Sequence, residues 1–295
     1  MTKQMIRIFL AVGLILALAV PAGGESSAVQ VSYLGPEGTY TEAAAQLFFT
    51  GGESMNPKGS VDEAIADVME GRADYAVIPQ ENTLGGAVVN YVDALIRAED
   101  VYVVGEVILP ISQTLMGIPG AALSDIKTVY SHAQGLTQSA RWRAEHLPDA
   151  AAEETASTAA AASYVAQQQD PSLAAIAAPG AASLYGLEVL AANVQITDTN
   201  KTRFYVLSRN PEGSGIRAVF VVTCEGSLID DIIVEIHESG LELVALHDRP
   251  EGSRLGRYHY VIEVINDSGV SWDQVLTALS SDEIRFAGCF DSVEE

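Results

Sequence analysis

The chain has 295 residues, with 39 acidic side chains against 16 basic ones and a formal net charge of −23. That balance excludes a nucleic-acid partner, which needs a basic face, and disfavours an anionic lipid surface. Hydrophobic residues make up 48% of the chain, enough for a sizeable core, and the length suits two domains or one large and one small.

At the N-terminus, Lys3 and Arg7 precede an apolar run over 8–20, and Pro21-Ala22-Gly23-Gly24 follows. A basic start, an apolar stretch and small residues after it form the secretory-signal pattern, with cleavage expected after Ala22. The run is 13 residues, short of the ~20 a helical span needs, so an uncleaved membrane anchor is the alternative. Residues 1–27 are therefore set apart as signal peptide or anchor.

From there strands and helices alternate. A strand is expected over 29–34, then the turn Gly35-Pro36-Glu37-Gly38. Thr39 and Glu42 stand at capping-box spacing before a helix to about 49, and Ser60 and Glu63 repeat that signal before a helix to about 70. A short strand over 75–79, a helix over 87–98 and a strand over 101–109 follow. Next come a strand over 126–130, a helix from Ser131 to about 146 and a helix over 155–169. A strand over 174–178, a short helix ending near Gly186, and strands over 190–196 and 203–208 complete a parallel-dominated α/β pattern with helices on both faces. The run 210–215, Asn-Pro-Glu-Gly-Ser-Gly, is a linker. Beyond it the order is strand 216–224, helix 228–238, strands 241–248 and 257–266, helix 272–279 and strand 284–290. This βαββαβ order is ferredoxin-like.

Four junctions gather polar groups. The glycine loop 35–41 opens a helix whose free N–H groups favour a carboxylate, though an ordinary capped turn explains it equally. Pro79-Gln80-Glu81-Asn82-Thr83 ends a strand, where side chains commonly face a ligand crevice. Glu81 there is either a proton donor of raised pKa or a solvated loop acid. Ser131-His132-Ala133-Gln134 leads into a helix carrying Gln138 about two turns on, and His132 is a base or a plain capping residue. Asn200-Lys201-Thr202-Arg203-Phe204 enters a strand; Arg203 suits a bidentate carboxylate contact or a strand-edge ion pair. Five scattered His and two distant Cys make no spaced metal site, so no metal and no organic cofactor is expected.

Taken in order, these stretches resemble prephenate dehydratase. The matching segments are GPEGTYTEAA at 35–44, VIPQENTLGGAV at 77–88, YSHAQGLTQS at 130–139, TASTAAAA at 155–162, AAIAAPGAASLYGLEVLAANV at 174–194 and NKTRFYVL at 200–207. The C-terminal part resembles an ACT domain, an amino-acid-binding regulatory unit. The resemblance implies a two-lobed catalytic domain like a type II periplasmic binding protein over 29–209, with lobes 29–105 plus 187–209 and 106–186, and an ACT domain over 216–291. It implies decarboxylative dehydration of prephenate to phenylpyruvate in phenylalanine biosynthesis, a homodimer or homotetramer, and L-phenylalanine as candidate effector.

By motif position, Thr202 is the implied essential hydroxyl, Glu81 and Asn82 a polar pair with Glu81 as candidate general acid, and Ser131 and Gln138 polar cleft residues. Thr39, Thr83 and Phe204 are implied substrate neighbours, and Arg203 the group that grips a substrate carboxylate. In the ACT domain, Gly226, Ser227 and Leu228 match one effector motif. Asp248, Arg249 and Pro250 match another that is changed at His247 and Asp248. The family is usually cytoplasmic, whereas this leader implies an exported or tethered enzyme. Arogenate dehydratase and an exported, non-catalytic binding protein for an aromatic acid are the alternatives. An exported chain also raises a Cys224–Cys289 disulfide; both lie late in antiparallel neighbouring strands, near opposite ends.

Overall fold

The structure is a computed structural model that describes residues 28–271, 274 and 284–294. The N-terminal leader lies outside the described residues, as does the helix expected over 272–279 apart from Gln274.

The first lobe runs β1 (Gln30–Leu34), α1 (Tyr40–Phe48), β2 (Ser54–Lys58), α2 (Val61–Met69), β3 (Tyr75–Asn82), β4 (Gly86–Ala87), α3 (Val89–Arg97) and β5 (Tyr102–Pro110). The expected caps form. Thr39 Oγ1 accepts from Glu42 N–H at 3.3 Å and Ser60 Oγ from Glu63 N–H at 3.1 Å. Glu42 and Glu63 reach back to Gly38 N–H and Gly59 N–H, so the first turns of both helices are satisfied from either side.

The second lobe holds β6 (Thr114–Gly117), β7 (Thr128–Ser131), α4 (Ala133–Gln138), α5 (Ala140–His146), β8 (Ala151–Glu154), α6 (Thr158–Gln168), β9 (Leu173–Ala177), α7 (Gly180–Tyr185) and β10 (Glu188–Ala191). Its sheet has the order β10-β6-β9-β7-β8. The chain then returns through β11 (Lys201–Ser208), which inserts between β3 and β5 in a sheet ordered β16-β5-β11-β3-β1-β2, with β16 spanning Ser292–Glu294.

Several expectations need correction. The helix expected from Ser131 to about 146 breaks at Ser139, whose hydroxyl bonds back to Gly135 O at 2.7 Å and competes with the helical ladder. Strands β2, β4, β6, β8 and β16 were not anticipated, and β4 takes the place where the helix over 87–98 was expected to begin. β2 is polar, carries Pro57 and pairs only with β1, a place where a strand tolerates proline. The sheets are mixed: β11 runs antiparallel to both its neighbours, and β6 antiparallel to β9 and β10. Both lobe boundaries move as well. All of β5 belongs to the first sheet and β10 to the second, so the crossings lie at 111–113 and 192–200.

Beyond the linker, β12 (Ser214–Glu225), α8 (Ile229–Glu238), β13 (Glu242–Pro250), β14 (Arg257–Ser271) and β15 (Ile284–Phe290) form an antiparallel sheet ordered β13-β14-β12-β15, the ferredoxin-like order. One face packs under α8 through Phe220, Ile232, Ile236 and Ile262. The other face sends Val219, Val221 and Val261 into a core shared with Ile78 and Tyr205 of the first lobe. Cys289 stands opposite Ala218, six residues before Cys224. At ~3.3 Å per residue the two sulfurs are about 20 Å apart along the sheet, far beyond disulfide reach.

Candidate active site

Between the lobes lies a cleft of about 810 Å³. Four helix starts open onto it: Thr39 and Tyr40 of α1, Gly59 before α2, His132 and Gln134 of α4, and Ser157 and Thr158 of α6. Helix N-termini carry partial positive charge and unsatisfied N–H donors, so their convergence suits an anion inside a strongly acidic protein. Lys58 is the single Lys or Arg among the described residues of the lining, and it is held by Asp67 at 2.6 Å. Pro36, Pro57, Pro79, Ile111 and Phe204 supply an apolar wall.

At the floor sit Asn82 and Thr202, paired across β3 and β11. Asn82 Nδ2 donates to Thr202 Oγ1 at 2.9 Å and to Asn200 Oδ1 at 2.9 Å. Asn82 Oδ1 accepts from Leu84 N–H, Gly85 N–H and, across the cleft, Gln134 Nε2, each at 3.0 Å. A hydroxyl that already accepts from an amide keeps its own proton for another acceptor. Thr202, which lines the cleft, is therefore set as a donor toward the space where a ligand would lie.

The lobes are latched around this floor. Besides Gln134 to Asn82, Tyr40 Oη donates to Ser112 O at 2.6 Å and Tyr185 Oη to Glu37 O at 2.6 Å. Burial pushes the Tyr40 phenol well above its ordinary range, which keeps it protonated as a donor. Gln138 is buried and accepts from Gln113 Nε2 at 3.0 Å. Gln113 Oε1 is buried without a hydrogen-bond partner among the described residues, leaving an acceptor at the cleft wall.

Of the expected site residues, Thr202, Asn82, Gln138, Thr39 and Phe204 line the cleft. Glu81 and Arg203 do not. The β3–β11 register shifts at Arg203/Phe204, so Phe204 faces Pro79 while Arg203 faces Glu81. This bulge spends one extra residue in β3 and flips the side-chain parity. Pro79 and Asn82 both reach the cleft, and Glu81 turns to the opposite face. There Arg203 donates to Glu81, Glu106 and Glu263, so its fork is fully engaged by protein carboxylates. Glu81 as an acid in the cleft and Arg203 as a substrate grip are thus both corrected.

Ser131 also falls away: it is fully buried and donates to Ile176 O at 2.7 Å, bracing β7 against β9. Thr83 is exposed and exchanges hydrogen bonds with the Lys201 backbone, closing the strand end rather than lining the cleft. In the C-terminal unit, 226–228 and 248–250 lie at one end of the sheet. Strand β14 runs between them, with Tyr258 opposite Pro250 and its ring packing at Gly226. Arg249 reaches Asp93 of α3 at 2.9 Å.

The sequence pattern did not single out Lys58, Gln113 or Ser157, and it named Gln134 only within the 131–134 junction, without a role. Lys58 precedes the Ser60 cap at a strand-to-helix junction, the same arrangement that marks the other three helix starts, and that repetition was a usable signal.

The family model for prephenate dehydratase matches residues 31–212. A prephenate dehydratase of Lactococcus lactis subsp. lactis is 31% identical over 247 residues, covering 81% of this chain and 88% of that protein. Arogenate dehydratase 5 of Arabidopsis thaliana is 39% identical over 191 residues, 65% of this chain and 44% of that protein. Among solved structures, a prephenate dehydratase from Arthrobacter aurescens in complex with L-Phe superposes with a TM-score of 0.79 at 31% identity, covering 89% of this chain and 90% of that one. With the matched segment spanning the whole two-lobed region, and with Asn82 and Thr202 meeting at the floor of its cleft, the chain belongs to the prephenate dehydratase family.

Proposed function

We propose that the interlobe cleft carries out this chain's reaction, the decarboxylative dehydration of prephenate to phenylpyruvate, with Thr202 as the hydrogen-bond donor to the departing oxygen. In that step the ring carboxylate leaves as CO2 and its bonding pair moves into the ring. The carbon–oxygen bond on the far side of the ring breaks, and hydroxide departs with its electron pair and takes from solvent the proton that makes it water. Aromatisation provides the driving force. The protein's task is to hold the dianion and to stabilise the charge that grows on the leaving oxygen. A threonine hydroxyl is too weak an acid to be the full proton source, so its contribution is a hydrogen bond that strengthens in the transition state.

The observation that carries the reading is the Asn82-to-Thr202 hydrogen bond, which commits the Thr202 proton outward. The helix starts and Lys58 would receive carboxylate charge. The proline-rich wall with Phe204 would desolvate the ring carboxylate that must leave as CO2. Phenylpyruvate formation from prephenate by the purified protein tests this. Turnover that falls by about 100-fold or more in Thr202→Ala, and is largely kept in Thr202→Ser, is expected. Full activity in Thr202→Ala would sink the role.

The C-terminal unit is proposed as an ACT-type regulatory domain that takes L-phenylalanine at 226–228 and 248–250. Its ferredoxin-like strand order supports this, as does the L-Phe complex of the Arthrobacter relative. The edge of β13, which pairs with no other strand among the described residues and carries exposed Leu243 and Val244, is the proposed contact between copies in a homo-oligomer. Among the described residues no helix is long and apolar enough to cross a membrane. The basic-apolar-small pattern of residues 1–22 supports export; N-terminal sequencing of the mature protein tests it.

A further inference from the structure

Thr202 faces the cleft, but both of its neighbours in β11 are held from the opposite side by C-terminal residues. Lys201 pairs with Glu294 of β16. Arg203 pairs with Glu263 of β14 at 2.6 Å, with Glu81 at 3.2 Å and with Glu106. Glu263 in turn receives Arg217 at 2.6 Å and the Tyr205 hydroxyl at 3.0 Å, and Ser292 donates to Glu106. The Glu106 and Glu263 side chains are 0% and 3% exposed, so this network of two arginines and three glutamates is desolvated at its centre, with Glu81 at its rim, 36% exposed.

Buried ion networks are poor stabilisers, because desolvation offsets most of their attraction. What they do well is fix geometry, and this one lies beside an irregularity. The β3–β11 ladder slips at Arg203/Phe204, one residue beyond Thr202, so regular pairing holds the backbone there from the β5 side, where it runs unbroken from Lys201 to Val206, and is interrupted on the β3 side. A planar guanidinium gripped by three carboxylates adds a fixed point at that interruption.

We propose that Arg203 and Glu263 are positioning residues, through which the C-terminal unit fixes Thr202 in its donor orientation. This rests on the reading of Thr202 given above. It assigns Arg203 a role behind the cleft in place of substrate contact, and it gives that unit a direct mechanical hold on the reacting hydroxyl.

The test compares kcat and KM for prephenate in the full chain and in Glu263→Gln, Arg203→Lys and Thr202→Ala, with thermal midpoints alongside. Glu263→Gln leaves two arginines facing two glutamates, a balanced set that the fold should accept. Arg203→Lys keeps every charge and removes only the fork, and it serves if Glu263→Gln does not fold. A kcat lowered about ten-fold in the folded variants, with KM within about two-fold of wild type, is expected. Wild-type kcat in the folded variants alongside an inactive Thr202→Ala would overturn the proposal and leave a structural network only. A raised KM at wild-type kcat would overturn it too, by returning Arg203 to substrate binding. An active Thr202→Ala is a different failure, because it removes the hydroxyl's role itself.

Discussion

An asparagine amide has one end that only donates and one that only accepts, and at Asn82 both ends are in use. The oxygen gathers three donors, two from the loop that follows and one from Gln134 of the other lobe. That leaves the nitrogen no freedom to flip, and it must donate to Thr202. Asn82→Asp replaces this donor with an acceptor, so the threonine proton would turn inward, away from substrate. We expect kcat to fall by about 10²–10³-fold with the fold intact, read by steady-state kinetics beside circular dichroism. Asp67 is a second such residue. Burial alone would raise its pKa, but hydrogen bonds from Lys58, Ser32 and Arg72 outweigh burial and lower it to about 2. A carboxyl depressed in the folded state contributes stability above its unfolded pKa and loses it as pH falls through the folded one. The contribution, about 2 kcal/mol, should be complete above pH ~4 and vanish toward pH ~2. Asp67→Asn should therefore be less stable than wild type at neutral pH, with the gap closing in that window; an equal gap at both ends would contradict the assignment. Its loss would also release Lys58 at the cleft rim.

At the scale of elements, the bulge in β3 explains why the local pattern was misleading. Strict alternation from a cleft-lining Pro79 puts Glu81 in the cleft and Asn82 behind it, and the structure has the reverse. A bulge leaves little trace in a run such as Pro-Gln-Glu-Asn, whereas the caps at Thr39 and Ser60 are local chemistry and were legible; the Ser157 cap, which opens α6 two residues inside the helix expected from 155, was not read. The starts of α1 and α2, the linker and the ferredoxin-like order could be read from residue spacing. The crossings at 111–113 and 192–200 could not, because they depend on which distant strands pair. Gly135 offers a test of packing at this scale. A Cβ there would overlap Ser131 Oγ, which is pinned by its bond to Ile176 O, but would meet Ser131 Cβ at an ordinary 3.4 Å. Gly135→Ala should thus cost about 1–3 kcal/mol, and adding Ser131→Ala should recover part of it, as measured by thermal unfolding.

Across the whole molecule, the C-terminal unit shares a core with the first lobe rather than hanging from it by a tether. Val219, Val221 and Val261 pack with Ile78 and Tyr205, and Gly288 of β15 lies against the backbone of Val103 in β5. Gly288 has φ +135°, and a Cβ would overlap Val103, so Gly288→Ala should destabilise by about 2–4 kcal/mol and loosen the two units together. Unfolding followed by separate probes in each unit should give one coincident transition for the wild-type protein, and two transitions would refute a shared core. A burial-raised thiol pKa, up to about 11, keeps Cys289, which packs on the α8 face of the C-terminal sheet, unreactive at neutral pH.

The insertion of β11 between β3 and β5 carries a consequence for synthesis. When β3 and β5 have left the ribosome, the strand that belongs between them is still about a hundred residues from being made. At ~5–20 residues per second the nascent first lobe waits many seconds with one edge of β3 and both edges of β5 unpaired. Asn82 acquires Thr202 only after the whole second lobe has emerged, so a ribosome that stalls before residue 202 releases a chain with neither a finished sheet nor a reaction centre.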